Sequence, residues 1–285
     1  MKNKRSVKRV ILASDVMMGN VHLKQPLPIG EFNQIDPFLL LHHIGPKYQV
    51  AGERSVMTID GHPHRGFETV TFIFDGEIHH KDSRENDQRI SGGGVQWMTA
   101  AKGIVHSEGV SQEFLNRGGD LQIIQLWINL PSELKMNQPK YQGFQKDEIP
   151  EIIEDGIYIN VISGNYINTT GPINSLTGIT AYTIYHESKG TLELPIPQDQ
   201  NLIIYQLNGY SKVNGINTGP NRMLAFENDG DHIVIQAEET GTILLVAGSP
   251  IGEKVVSHGP FVMNSQTEIL QAMRDYQMGK MGILI

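Results

Sequence analysis

The fold is decided by the stretch His62-Pro-His-Arg-Gly-Phe-Glu-Thr-Val-Thr-Phe-Ile-Phe-Asp-Gly76. Its second half, from Glu68 to Phe74, is rich in β-branched and aromatic residues and ends at an Asp-Gly turn signal, which predicts a β-strand. Its first half places two histidines two residues apart. Because residues i and i+2 of a strand point to the same face, both imidazoles are expected on one side of a strand.

A second alternating pair, His106-Ser-Glu108, follows later in the chain. Two strands that face each other would bring three imidazoles and one carboxylate into one cavity. This donor set contains no thiolate and extends the two histidines and one carboxylate that non-haem iron oxygenases use. The pattern therefore predicts a metal site made of His62, His64, His106 and Glu108. Fe(II) is the first expectation, although nickel, copper, zinc or manganese could occupy the same ligands.

The composition limits what kind of protein can carry such a site. The chain has 285 residues, of which 39% are hydrophobic and 19% charged, and this favours a globular protein of two domains. A net charge of -8 offers no basic face for nucleic acid, so no direct nucleic-acid binding is expected. The absence of cysteine excludes thiolate-bound zinc, iron–sulfur clusters and thiol catalysis.

The beginning of the chain shows no targeting signal. Its basic segment is followed by an apolar run that Ser14 and Asp15 interrupt, which is too short for a signal peptide or a membrane span. A cytoplasmic location without membrane association is the expectation.

Turn signals separate short β-branched or aromatic runs through most of the chain, which predicts an all-β fold. The segment from Pro131 to about Asp155 contains three prolines and reads as the connection between two β-barrels or sandwiches. We expect an N-terminal metal-binding domain at 1–135 and a C-terminal domain at 136–285, which has no His-x-His pair and no predicted metal site. A capping box at Ser265 to Glu268 predicts a helix that closes the chain. Further strands are expected at 121–130, 178–185, 201–207, 222–226, 232–237 and 242–247.

These residues resemble the pirin family, a group of bicupins within the cupin superfamily. The resemblance implies an all-β fold of two consecutive cupin (jelly-roll type) β-barrels with a C-terminal helix. It also implies that His62, His64, His106 and Glu108 bind the metal and that Glu68 does not. Two departures from the general cupin pattern are the alanine in place of the proline expected before Gly103, and Glu108 in place of a closing asparagine. The segments that carry the resemblance are Asp36–Leu41, His62–Thr71, Trp97–Glu108, Leu126–Pro131 and His258–Asn264.

Several other residues have two interpretations. Glu68 would point inward with His64 on an unbroken strand, whereas a bulge at Gly66 would turn it away. The Gly92–Gly94 run predicts a tight turn, because no Gly-Lys-Ser/Thr motif accompanies it. The remaining histidines are expected to be structural, namely His22, His42, His43, His79, His80, His186, His232 and His258.

Three functions follow from the predicted site. Three histidines and one carboxylate leave an octahedral metal with room for two further ligands, which suits a small aromatic substrate together with O2. The resemblance implies a flavonol dioxygenase of quercetinase type, in which Glu108 also acts as a general base. It equally implies an iron-dependent redox regulator that binds a protein partner. A purely structural metal is the third alternative, and it predicts a closed coordination shell.

Overall fold

The computed structural model describes residues 3–19, 21–55, 57–187 and 189–284, and the chain divides into two compact units. The 38–146 unit comprises Asp15–Leu23, Phe38–Lys146 and Ile251–Ile285. The 147–250 unit comprises Met1–Ser14, Lys24–Pro37 and Asp147–Pro250.

Strands make up most of both units. The helices are α1 (Gln112–Arg117) and α2 (Gln266–Gln277), and a 3₁₀ turn covers Lys146–Glu148. In chain order the strands are β1 (Val7–Leu12), β2 (Ser14–Met18), β3 (Val21–Leu27), β4 (Phe38–Gln49), β5 (Thr58–His64), β6 (Phe67–Asp75), β7 (Glu77–Asp82), β8 (Asp87–Ser91), β9 (Val95–Thr99), β10 (Ile104–Gly109), β11 (Gly119–Asn129), β12 (Lys140–Phe144), β13 (Glu151–Glu154), β14 (Ile157–Ser163), β15 (Asn165–Tyr166), β16 (Thr169–Thr170), β17 (Thr180–His186), β18 (Gly190–Pro195), β19 (Asn201–Asn208), β20 (Ser211–Val213), β21 (Ile216–Thr218), β22 (Arg222–Phe226), β23 (His232–Ala237), β24 (Gly241–Gly248), β25 (Val256–His258) and β26 (Phe261–Met263).

The 38–146 unit contains two sheets that pack around a shared core. The larger sheet has the strand order β12-β9-β6-β11-β4-β3-β2, and the smaller has the order β5-β10-β7-β8. Ile73, Leu121 and Ile123 of the larger sheet share one buried cluster with Ile78 and Ile90 of the smaller sheet. Burial of these aliphatic side chains holds the two sheets together, because removing apolar surface from water drives the packing.

The 147–250 unit repeats this plan. Its larger sheet has the order β1-β22-β19-β24-β17-β14-β13, and its smaller sheet has the order β18-β23-β20-β21. Ile184, Ile204 and Leu245 of the larger sheet lie in one buried cluster with Leu192 and Ile235 of the smaller sheet. Both units are therefore two-layered β-structures, and the prediction of an all-β fold is confirmed.

Each terminal segment lies in the unit formed mainly by the other half of the chain, and the expected division at residue 135 stays a prediction. The first strand belongs to the 147–250 unit, because β1 pairs with β22 and places Val10 beside Leu224. The last segment belongs to the 38–146 unit, where Ile269 of α2 lies in one buried cluster with Val105 of β10. Each unit thus includes a segment from the opposite end of the chain.

The predicted connection between the halves contains two strands. β12 pairs with β9 in the 38–146 unit, and β13 pairs with β14 in the 147–250 unit. The periodicity is weak here because the side chains of β12 are exposed or only half-buried, so this strand has no clear alternation of apolar and polar residues.

The predicted C-terminal helix is confirmed as α2. The Ser265 hydroxyl accepts the backbone N–H of Glu268 at 3.3 Å, and the Glu268 carboxylate accepts the backbone N–H of Asn264 at 3.1 Å. These bonds satisfy N–H groups at the start of the helix. In the described part of the chain, no helix is long and apolar enough to cross a membrane. A cytoplasmic location stays a prediction.

Candidate metal centre

Two neighbouring strands of the smaller sheet carry the four predicted ligands. His62 and His64 lie on β5, while His106 and Glu108 lie on β10. The two strands pair antiparallel with His106 directly beside His62. The expectation that the strands face each other across a cavity was wrong, because they are hydrogen-bonded neighbours in one sheet. The side chains still share a face, since cross-strand partners point to the same side.

Three imidazoles gather at this point. His62, His64 and His106 each offer one ring nitrogen, and these atoms lie within 4.8 Å of one another. The Nδ1 atom of His62 lies 2.8 Å from the carbonyl oxygen of Asp60, and the Nδ1 atom of His64 lies 3.3 Å from that of Pro260. A carbonyl oxygen can only accept, so both Nδ1 atoms carry a hydrogen. In the neutral rings the Nε2 atoms are then lone-pair donors suited to a metal.

The arrangement of these nitrogens fits a bound cation. The Nε2 atoms of His62 and His64 are 3.1 Å apart, so two lone pairs face each other. The buried Nε2 atom of His106 has no hydrogen-bond partner among the described residues. Burial lowers the pKa of His64 to about 3 and the pKa of His106 well below its ordinary value, so added protons would not relieve this arrangement. A divalent first-row metal would satisfy all three nitrogens.

Glu108 is held from the opposite sheet. Thr71 lies beside both Gln96 and Gln125 in the strand register, so β9, β6 and β11 present one polar row. The side-chain amides of Gln96 and Gln125 donate to different oxygens of the Glu108 carboxylate, the latter at 2.8 Å. Burial raises the pKa of Glu108, whereas His80, His62 and the hydrogen bonds from Gln125 and Thr71 oppose this rise. Glu108 is thus a buried acceptor with both oxygens fixed.

The potential ligands form two overlapping groups. His62, His64 and His106 make up the first group, and His80, His106 and Glu108 make up the second. His106 belongs to both. The structure therefore brings the four predicted residues into one region, but it associates Glu108 most directly with His106 and His80.

His80, which the sequence predicts to be a structural histidine, lies next to the predicted ligands. On β7 it lies beside Glu108 of β10, and its side chain is almost fully buried. Its Nε2 atom is 3.1 Å from Asp82, and its ring stacks on Tyr141 with ring centroids 4.3 Å apart. Burial raises the pKa of Asp82, but hydrogen bonds from His80, Asn86 and Arg84 outweigh it and the pKa lies below its ordinary value. The alternating His80-x-Asp82 pair was the signal that could have found this residue.

Glu68 does not join the ligands. β5 ends at His64 and β6 begins at Phe67, so the unbroken strand is not formed. Gly66 separates them with a φ of 90°, and a side chain there would collide with the carbonyl oxygen of Val262. The Glu68 carboxylate instead accepts the hydroxyl of Thr99 at 2.6 Å, and burial raises its pKa to about 7. It belongs to neither of the two groups.

Aromatic side chains border the histidines. The rings of Phe67 and Trp127 lie 5.0 Å and 5.3 Å from the His64 ring, measured between centroids. A cavity of about 790 Å³ lies beside the start of β5, where Ile59 and Asp60 line it. Its volume is that of a small-molecule site, although none of the four predicted ligands lines it.

Comparison with known proteins shows the same fold along the chain. A family model described as Pirin matches residues 20–128, and one described as Pirin C-terminal cupin domain matches residues 181–282. The chain is 38% identical over 266 residues to a pirin-like protein of Caulobacter vibrioides, which covers 91% of this chain and 92% of that protein. It is 36% identical over 255 residues to Pirin-1 of Arabidopsis thaliana, which covers 87% and 84%.

A solved structure extends this likeness. The crystal structure of a quercetin 2,3-dioxygenase from Acinetobacter baumannii superposes with a TM-score of 0.90 at 31% identity, over 99% of this chain and 100% of that one. The predicted fold of two cupin domains with a C-terminal helix is confirmed.

Proposed function

The chain belongs to the pirin family, and from that premise we propose that it is a metal-dependent dioxygenase of quercetinase type. The substrate class would be flavonol-like aromatic molecules, cleaved in the central ring with O2. One observation carries the proposal: three imidazoles converge with their Nε2 lone pairs unshared, next to a carboxylate fixed on both oxygens. The name of the Acinetobacter baumannii structure, similar over nearly the whole chain, supports this substrate class.

We propose that His62, His64, His106 and Glu108 hold the metal and that Fe(II) is the native ion. When bound, such an ion supplies Lewis acidity towards substrate oxygens and redox chemistry with O2. The two backbone carbonyls behind His62 and His64 fix the orientation of both rings.

Glu108 also acts as the general base in this proposal. It takes the proton of the flavonol hydroxyl onto a carboxylate oxygen, and the bonding electron pair stays on the substrate oxygen. The amides of Gln96 and Gln125 keep the carboxylate in place. Phe67 and Trp127 provide apolar surface that excludes water near His64.

The test is turnover of quercetin by protein stripped of metal and reloaded anaerobically with Fe(II). We expect O2 uptake with release of carbon monoxide by the wild type, and none by His62→Ala. His79→Ala is the matched control, because His79 lies on β7 and interacts with Asp87 at the surface. It should keep wild-type turnover. Absence of O2 uptake and of carbon monoxide release by fully iron-loaded wild type would reject the dioxygenase. It would favour the iron-dependent regulator that binds a protein partner.

A further inference from the structure

Each of the three clustered histidines directs its Nδ1 atom to a different neighbour. For His62 and His64 the neighbour is a backbone carbonyl, which fixes the hydrogen on Nδ1. For His106 the neighbour is the Nδ1 atom of His80, 3.5 Å away. An imidazole nitrogen can donate or accept, so the hydrogen position on His106 depends on the state of His80.

Asp82 determines the state of His80. One carboxylate oxygen accepts the backbone N–H groups of Arg84 at 2.7 Å and Asn86 at 3.2 Å. The other accepts the side-chain amide of Asn86 at 2.8 Å and lies 3.1 Å from His80 Nε2. The carboxylate accepts at every position, so the hydrogen of His80 is on Nε2.

The remaining nitrogen of His80 then acts on His106. With the hydrogen of His80 on Nε2, the Nδ1 atom of His80 presents its lone pair to the ring of His106. The hydrogen between the two rings consequently belongs to His106 Nδ1. The stack against Tyr141, with an interplanar angle of 19°, holds the His80 ring in this orientation.

We infer that Asp82 and His80 are positioning residues that fix His106 in the Nδ1–H tautomer and so keep its Nε2 atom free to bind metal. The inference rests on the proposed metal centre but not on the dioxygenase activity. In this arrangement His80 accepts the Nδ1 hydrogen of His106, as backbone carbonyls accept the Nδ1 hydrogens of His62 and His64. Partners of this kind typically change metal affinity by roughly 10–100-fold.

The competing role for His80 is direct ligation together with His106 and Glu108, whose ligand atoms lie within reach. The observed bonds oppose this role. The Nε2 atom is engaged with Asp82, and the Nδ1 atom already faces His106.

The first test is Asp82→Asn in the full-length protein. The amide oxygen would face the two backbone N–H groups, and the NH2 group would face His80. The Nε2 atom of His80 must then accept, which reverses both tautomers and places a hydrogen on His106 Nε2. We expect the Kd for Co²⁺, measured by competition with a chromophoric chelator, to rise roughly 10–100-fold. Asp87→Asn is the matched control, because Asp87 contacts His79 at the surface and should leave the Kd unchanged.

A double-mutant cycle tests whether Asp82 acts through His80. His80→Phe should weaken Co²⁺ binding, and adding Asp82→Asn should change the Kd no further. The absorption spectrum of bound Co²⁺ should keep the same coordination number in His80→Phe. Wild-type affinity in Asp82→Asn, or loss of a ligand in the His80→Phe spectrum, would overturn the inference.

A measurement on the wild type tests the inference even if the variants fail to fold. Long-range ¹H–¹⁵N spectra of the Zn²⁺-loaded protein report ring tautomers, and we expect Nε2–H for His80 and Nδ1–H for His106. The opposite tautomers, or a protonated His80, would overturn the inference. Wild-type protein that binds no Co²⁺ rejects the metal centre itself, whereas equal binding by wild type and Asp82→Asn rejects only the roles of Asp82 and His80.

Discussion

Glu108 has two proposed roles, as a metal ligand and as the general base. In Glu108→Gln an amide group would face the amide donors of Gln96 or Gln125, so at least one N–H group loses its acceptor. We expect lower iron content after anaerobic loading and a fall in kcat of at least about 100-fold. Glu68→Gln is the matched control, a buried carboxyl outside both ligand groups, and should keep its iron. Full iron content and full turnover in Glu108→Gln would show that the base assignment is wrong.

Lys135 is a buried cation that joins three segments of the 38–146 unit. Its ammonium group donates to the carbonyl of Gly66 at 2.7 Å, to Asn129 at 2.6 Å and to the carbonyl of Val262 at 3.1 Å. Lys135→Met leaves these acceptors unpaired, and we expect the free energy of unfolding to fall by about 2 kcal/mol at pH 7. Urea titration measures it. Lys254→Met, at an exposed lysine, is the control and should change little.

Lys135 should also make the free energy of unfolding depend on pH. Burial lowers the pKa of Lys135 to about 8, against 10.5 for an ordinary lysine. Between these two values the unfolded chain holds a proton that the folded chain has released, so stability rises with pH. The stability of wild type relative to Lys135→Met should therefore increase from pH 8 to about pH 10.5. A flat difference over this range would contradict the burial of a titrating amine.

For single residues, the sequence predicts which side chains can bind a metal better than it predicts which residues of other strands they contact. The alternation of His62 with His64 and of His106 with Glu108 indicates a shared face, because the period of a strand is two. His80 shows the same alternation with Asp82, but its importance comes from Glu108 and His106 on the adjacent strand. The register between β7 and β10 cannot be predicted from the sequence of either strand alone.

Among the elements, α2 is joined to the loop that follows His64. Arg65 donates to the Asp275 carboxylate at 2.9 Å, and both side chains are buried. Asp275→Asn leaves the guanidinium with a weaker partner, and we expect a loss of about 3 kcal/mol at pH 7, measured by urea unfolding. Asp87→Asn removes an exposed carboxylate and should cost little.

The loss of stability in Asp275→Asn should become smaller at low pH. Hydrogen bonds from Lys280 and Arg65 lower the pKa of Asp275 to about 2, from an ordinary value of 3.8. A lowered carboxylate pKa stabilises the folded state above the unfolded pKa. The difference between wild type and Asp275→Asn should thus be complete above about pH 5 and decline as the pH falls from 3.8 towards 2. An equal difference at pH 2 and pH 7 would contradict the ionic part of this contact.

Strands with a strong local signal were predictable, and weakly patterned strands were not. β22 (Arg222–Phe226) and β23 (His232–Ala237) have the expected bounds, because turn residues such as Gly, Pro, Asn and Asp separate these two mainly apolar segments. β12 and β13 fell in the predicted connection, because both are short edge strands whose sequences, KYQGF and EIIE, show little alternation of apolar and polar residues.

For the whole molecule, the segment after Pro250 completes the 38–146 unit. Pro260 supplies the carbonyl behind His64, and the backbone N–H of Val262 donates to the carbonyl of Arg65 at 3.0 Å. A chain that ends at Pro250 should therefore lose metal binding, while the 147–250 unit keeps its protection from hydrogen exchange. Iron analysis and exchange mass spectrometry measure the two effects. A chain that ends at Gly282 retains α2 and should bind iron normally, and iron binding by the shorter chain would contradict this dependence.

Non-local pairing also explains which part of the domain organisation could be predicted. Length and strand density indicate two β-domains, and the structure has two such units. The pairing of β1 with β22 and the buried cluster that contains Ile269 and Val105 connect segments far apart in sequence, so no local pattern reveals them.

The central claim is that His62, His64, His106 and Glu108 hold one metal ion. Anomalous diffraction at the iron edge, from crystals of anaerobically Fe(II)-loaded protein, tests it most directly. We predict one peak in coordination range of the Nε2 atoms of the three histidines and of a Glu108 oxygen. A peak bound by His80 in place of His62 and His64, or no peak at this site in fully loaded protein, would contradict the claim.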